Sequence, residues 1–179
     1  MVYVFLAEGF EELEALAPTD LLRRAGVEAA TVGVGGKTVA GSHGIPVTCD
    51  LILDELRLGE APDGVILPGG PGYAGLETSP AVLELVRRTA SAGGLVAAIC
   101  AAPSILGRMG LLAGREACCF PGYEETLKGA RISMAPVVRD GNMITARGAG
   151  AAVPFALELI AYLKSPAEGA AVAAAIQCP

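Results

Sequence analysis

Residues 95–112 read LVAAICAAPSILGRMGLL. The opening LVAAI is apolar without alternation, as expected of a strand buried on both faces. Pro103 suits the first turn of a helix, so Ala102–Leu112 is read as one. Between the two lies Ala98-Ile99-Cys100-Ala101-Ala102, with small residues two before and two after the cysteine. A nucleophile on a sharp strand-to-helix turn needs that spacing, because larger side chains would collide there. The turn would set the sulfur at a helix N-terminus, where free N–H groups and the helix dipole favour a thiolate. Cys100 is therefore the candidate nucleophile, against the plainer reading of a small buried hydrophobe closing a core strand.

The same grammar extends in both directions. Val2–Ala7, Glu28–Val34 and Gly64–Leu67 read as strands, and Phe10–Ala25, Pro80–Ala92 and Gly150–Leu163 as helices. Pro18 implies a kink or a late start in the first of these helices. Gly35–Asp50 reads as small strands or a hairpin, Glu116–Phe120 as a strand, and Val137–Ala146 as a strand pair around Asp140-Gly141. Ser165-Pro166-Ala167-Glu168 has the form of a capping box opening a last helix. Alternating helices and doubly apolar strands specify a mostly parallel sheet covered on both sides, a three-layer α/β/α sandwich. With 179 residues and no linker or repeat, one domain over 1–179 is expected. In such folds ligands sit at the carboxyl ends of the strands.

Composition excludes several classes. Lys plus Arg is 13 against 19 Asp plus Glu, a net charge of −6, which argues against binding nucleic acid through its phosphates. No apolar run reaches the length of a spanning helix, and MVYVFLAEGFEE lacks the basic start of a secretory signal, so a cytoplasmic, non-membrane protein is expected. Cys49, Cys100, Cys118, Cys119 and Cys178 match no zinc spacing and are expected as reduced thiols. Neither a metal nor a cofactor is expected, since Pro68-Gly69-Gly70-Pro71-Gly72 lacks the spacing of a dinucleotide fingerprint.

Two other strand ends carry candidate chemistry. Gly69-Gly70 follows GVIL and lets backbone N–H groups come close to a reacting atom. The N–H groups of Gly70 and Ala101 would form an oxyanion hole beside Cys100. After the first strand come Glu8, Glu11, Glu12 and Glu14. Acids at a helix start are ordinary partners of its dipole, yet crowding raises the pKa of whichever is most buried. The only histidine, His43, sits in GSHG at no strand end, which disfavours a Cys-His protease triad.

AEGFEELEA, LAPTDLLRRAG, ILPGG, AAICAAP and ITARGAG, in that order over nearly the whole chain, resemble the DJ-one/ThiJ/PfpI superfamily, in its DJ-one/ThiJ-like branch. The resemblance implies a flavodoxin-like fold, similar to class I glutamine amidotransferases, and a homodimer with the reactive cysteine near the interface. It implies Cys100 as the oxidisable cysteine, Glu14 as the buried acid beside it, and Gly70 and Ala101 as backbone donors. Arg24 and His43 fall where the family's anion-holding arginines lie, the latter reaching over from the partner subunit. The implied activity is conversion of small α-oxoaldehydes, methylglyoxal to lactate, without glutathione, or repair of glycated protein. The alternative is a non-enzymatic oxidative-stress sensor or chaperone in which Cys100 becomes a sulfinate. The chain departs from the pattern at Phe120, where the branch often carries histidine, and at Arg147-Gly148-Ala149-Gly150, where the family reads Arg-Gly-Pro-Gly.

Overall fold

The computed structural model describes residues 1–178; Pro179, the end of the expected domain, lies outside them. In chain order the elements are β1 (Val2–Ala7), α1 (Glu12–Arg24), β2 (Ala29–Val34), β3 (Thr38–Ala40), β4 (Pro46–Thr48), β5 (Leu51–Ile52), β6 (Gly64–Leu67), α2 (Tyr73–Glu77), α3 (Pro80–Ser91), β7 (Leu95–Ile99), α4 (Pro103–Arg108), β8 (Glu116–Ala117), β9 (Arg131–Ile132), β10 (Val137–Asp140), β11 (Met143–Ala146), α5 (Ala152–Leu163) and α6 (Pro166–Ala175).

A seven-stranded sheet runs in the order β10-β11-β7-β6-β1-β2-β5. Its pairs are parallel except β10 with β11. The chain builds β2 on one side of β1 and then crosses to build β6 on the other, so the order reverses between β1 and β6. A crevice opens at such a reversal, outside the strand ends. Strand residues alternate between two cores: Val4, Leu6, Ile66, Ala97 and Ile99 face α1 and α5, whereas Phe5, Val65, Leu67, Val96 and Ala98 face α3 and α4. The period of two, hidden in sequence because both faces are apolar, is plain in the packing.

Several local expectations are met. The segment 35–50 forms the antiparallel hairpin β3–β4. Helix α1 covers Glu12–Arg24 within the expected Phe10–Ala25, although Pro18 lies inside it and does not delay its start. Ser165 caps α6, its hydroxyl accepting from the Glu168 N–H at 3.2 Å. Two differ. The helix after Cys100 ends at Arg108 rather than Leu112, because Gly110 turns the chain with φ 75°. The strand expected over Glu116–Phe120 is only two residues long and pairs with β9 outside the main sheet. The backbone donors beyond it leave the ladder: Cys118 N–H goes to Thr145 Oγ1 at 3.0 Å and Phe120 N–H to the Cys100 carbonyl at 2.8 Å. The short helix α2, directly after Gly72, was not expected from PGGPG. Among the described residues, no helix is long and apolar enough to cross a membrane.

Candidate active site

Cys100 follows the last residue of β7 with φ 66°, the left-handed region that a residue with a Cβ rarely enters. Ala98 and Ala102 are fully buried on either side of it. Its backbone is held at both ends, the N–H by the Ala146 carbonyl at 2.9 Å and the carbonyl by Phe120. Strain of this kind persists only where the surroundings over-determine it, and it gathers at active sites. The elbow read from Ala-x-Cys-x-Ala is present.

Two loops at the sheet's reversal point close around this elbow. Glu11 N–H donates to the Gly69 carbonyl at 3.1 Å, and Gly72 N–H to the Gly9 carbonyl at 2.9 Å. Gly70 takes φ 72°, and a Cβ there would lie 2.7 Å from Glu11 N and from Gly9 O, so only glycine lets the loops interlock. A Cβ on Gly69 would lie 2.7 Å from both Cys100 Cβ and Glu14 Oε2. The bare backbone of Gly69 is therefore what fits between the sulfur's residue and the carboxylate.

Glu14 is 1% exposed. Its Oε2 accepts from Gly69 N–H at 2.8 Å, while Oε1 has no hydrogen-bond partner among the described residues. Burial, with help from the charge of Glu11, pushes this carboxyl up to about 7, against the opposing pull of Gly69 N–H and the Cys100 thiol. A buried acceptor without a donor is costly, and a proton on Glu14 relieves the cost.

The sulfur responds in kind. Burial, and then the Glu14 carboxylate, push the Cys100 thiol up to about 12, while the N–H groups of Gly70 and Ala101 pull the other way. This corrects the expectation of a thiolate from elbow geometry alone: beside a charged Glu14 the proton stays on sulfur. Two buried groups so coupled hold one proton between them, and a thiolate at Cys100 goes with a neutral Glu14.

The remaining candidates fall elsewhere. His43, at the tip of β3–β4, donates its backbone N–H to Glu12 Oε1 at 2.8 Å and sets Nδ1 2.8 Å from Glu12 Oε2. It latches the hairpin to α1, with 70% of its side chain exposed. Arg24 pairs with Asp20 at 2.8 Å, ten residues and so about 15 Å along the helix from Glu14. The single chain brings neither to the sulfur. Glu11, Glu12 and His43 offer one donor atom each within 4.8 Å of one another. Both Glu12 oxygens and one of Glu11 already accept protein hydrogen bonds, so the cluster serves as a latch and not as an open metal site. Cys49, Cys118 and Cys119 are buried, and all five cysteines are free.

Sequence reading missed a pair of tyrosines. Tyr73 follows the glycine loop and Tyr123 follows Phe120; their rings meet edge to face with centroids 5.7 Å apart. The only signal was position, since each lies three residues beyond a residue whose backbone N–H reaches Cys100.

A strained cysteine at the end of a central parallel strand, an acid raised by burial, and two N–H groups aimed at the sulfur come together at the reversal point of an α/β sheet. The chain belongs to the DJ-1/PfpI family, whose model matches residues 1–162. It is 37% identical over 98% of its length to the Parkinson disease protein 7 homolog of Danio rerio, covering 94% of that protein. It is 31% identical to the glutathione-independent glyoxalase of Caenorhabditis elegans, over 89% of this chain and 86% of that one. The crystal structure of a cysteine-to-alanine variant of a DJ-1 superfamily protein from Salmonella typhimurium superposes with a TM-score of 0.93 at 39% identity, covering 99% of this chain and 98% of that one. The flavodoxin-like three-layer fold expected from the resemblance is the one observed.

Proposed function

We propose that this protein is a cysteine-dependent enzyme acting on small α-oxoaldehydes, with methylglyoxal converted to lactate without glutathione. The observation that carries the reading is the unpartnered oxygen of a buried Glu14, raised to about 7, beside the strained Cys100. A carboxyl with its pKa near the working pH is matched to moving protons.

As sulfur attacks the aldehyde carbon C1, Glu14 takes the thiol proton and the carbonyl pair moves onto O1. The N–H groups of Gly70 and Ala101 stabilise the charge gathering there, and Glu14 returns the proton to O1, giving a hemithioacetal. Glu14 then carries the C1 proton to C2 while the O1 proton passes to O2, which leaves a thioester. Water hydrolyses the thioester to lactate and the free thiol. No external oxidant or reductant is needed, because C1 is oxidised as C2 is reduced. The name of the Caenorhabditis elegans relative supports the substrate class.

The test is lactate formation from methylglyoxal by the wild type and by Cys100→Ser. The wild type is expected to turn over and the variant to be inactive; a wild type no faster than free thiol defeats the reading. The rival, a redox sensor, predicts selective gain of two oxygen atoms at Cys100 in mild peroxide, with no turnover. The proposal includes the homodimer that the resemblance implies and the cytoplasmic location expected from the sequence; sedimentation at micromolar concentration checks the first.

A further inference from the structure

The reaction proposed above moves two protons in its central step, one between carbons and one between oxygens. Glu14 is a single carboxyl, and its other oxygen is committed to Gly69 N–H. The oxygen-to-oxygen transfer therefore needs a second group on the substrate side of Cys100. Glu14 approaches from α1, on one face of the sheet. Tyr73 and Tyr123 pack against the core of the opposite face.

Both tyrosines are tied by backbone to the residues around the sulfur. Tyr73 N–H donates to the carbonyl of Gly70, whose own N–H points at Cys100, at 3.1 Å. Tyr123 N–H donates to the Phe120 carbonyl at 3.1 Å, and Phe120 N–H to the Cys100 carbonyl at 2.8 Å. Each tyrosine's backbone thus stands one short turn from a residue hydrogen-bonded to Cys100, and the two rings meet each other. Phe120 itself offers no proton, and its exposed ring lies beside Gly148. Arg108, one turn into α4, supplies positive charge on the same side, held by Ser104 and Glu77.

We propose that Tyr123 is the second proton carrier of this site, oriented by the edge of the Tyr73 ring. As Glu14 removes the C1 proton, the C2 carbonyl pair moves to O2 and takes the Tyr123 proton. The phenolate then accepts the O1 proton as the C1 carbonyl re-forms and C2 is protonated by Glu14, so tyrosine ends as it began. The phenol's surroundings agree: Tyr73, then burial, then charge on Cys100 raise it, while Arg108 lowers it. The negative charge that would build at Cys100 is thus sensed at Tyr123.

This inference rests on the reading of function above, and two measurements separate their failures. The first is kcat for lactate in Tyr123→Phe, which keeps the ring contact. A loss of about 10²-fold is expected, with the rate of Cys100 alkylation unchanged and the alkaline limb of the pH profile gone. Turnover within about twofold of wild type, with the same limb, overturns the proposal. Tyr73→Phe is expected to show a smaller loss in the same direction. If the wild type makes no lactate, the functional reading fails and the second measurement decides the placement of the phenol. With 3-nitrotyrosine at position 123, converting Cys100 to its sulfinate should raise the nitrophenol's midpoint, and should not do so in Cys100→Ala. A midpoint indifferent to the sulfinate places the phenol out of reach and overturns the proposal.

Discussion

Glu12 and Glu14 sit two residues apart at the start of α1, each with little solvent exposure at 6% and 1%, yet their acidities part in opposite directions. Both lose solvation. Glu12 is compensated by the His43 ring and backbone N–H, with the Ser42 hydroxyl at 3.3 Å, and falls to about 2. Glu14 receives one backbone N–H, faces a thiol, and rises to about 7. Low solvent exposure alone therefore does not decide a carboxyl's role: Glu14 lies deeper among protein atoms and has fewer donors aimed at it, and the two causes act together. The helix makes one acid a fixed anion that fastens a hairpin, and leaves the other a carboxyl that exchanges its proton near neutral pH.

Exchanging the two acids one at a time sharpens this contrast most. Glu14→Gln is expected to cut turnover about 10²- to 10⁴-fold, while Glu12→Gln leaves it near wild type; steady-state lactate assays on both variants check this, and equal losses would erase the distinction. Stability should show the next largest difference. The native state holds the Glu14 proton up to about 7, whereas an unfolded glutamate releases it near 4.5. Between those values the native state binds more protons, so stability falls as pH rises, by roughly 3 kcal/mol across the window. Urea unfolding at several pH values should show that slope in wild type and its loss in Glu14→Gln. Gly69→Ala comes next: its methyl would press on Cys100 and Glu14 together, costing about 1–3 kcal/mol and parting the pair. Reduced activity with an unmoved unfolding midpoint would show that the methyl is accommodated by the loop without strain on the core.

What could be read beforehand divides along physical lines. LVAAICAAP announces strand, elbow and helix because those depend on neighbours in sequence, and GVILPGG does the same for the donor loop. Glu14 was one of four acids, and only the fold shows that Gly69 N–H reaches it from 55 residues away. The end of α4 and the fate of residues 116–120 depend on where backbone donors go, and those go to Thr145 and Cys100, beyond any local pattern. Tyr73 and Tyr123 lie 50 residues apart in turn-rich segments with no periodicity to pair them. The assignment of Arg24 and His43 came from resemblance, and in the single chain each is occupied by a nearby carboxylate.

The smallest expected effect tests the latch. His43→Ala removes the ring from Glu12 but leaves the backbone N–H bond, so the hairpin should loosen without unfolding. Amide exchange at Ser42 and His43, corrected for intrinsic rates, is expected to quicken while turnover holds. In wild type the sign is set by both partners. Glu12 raises the histidine's pKa above its usual value, so the charged contact is complete below the ordinary histidine range and fades as pH climbs through the raised value. Glu12, lowered to about 2, keeps its charge until strongly acid solution. Protection of the hairpin tip should therefore be greatest in mildly acid solution and decline toward alkaline pH, with the ring so exposed that added salt weakens it. Protection unchanged by pH and by His43→Ala would mean that backbone hydrogen bonds alone hold the hairpin, and that the low pKa of Glu12 is owed to them.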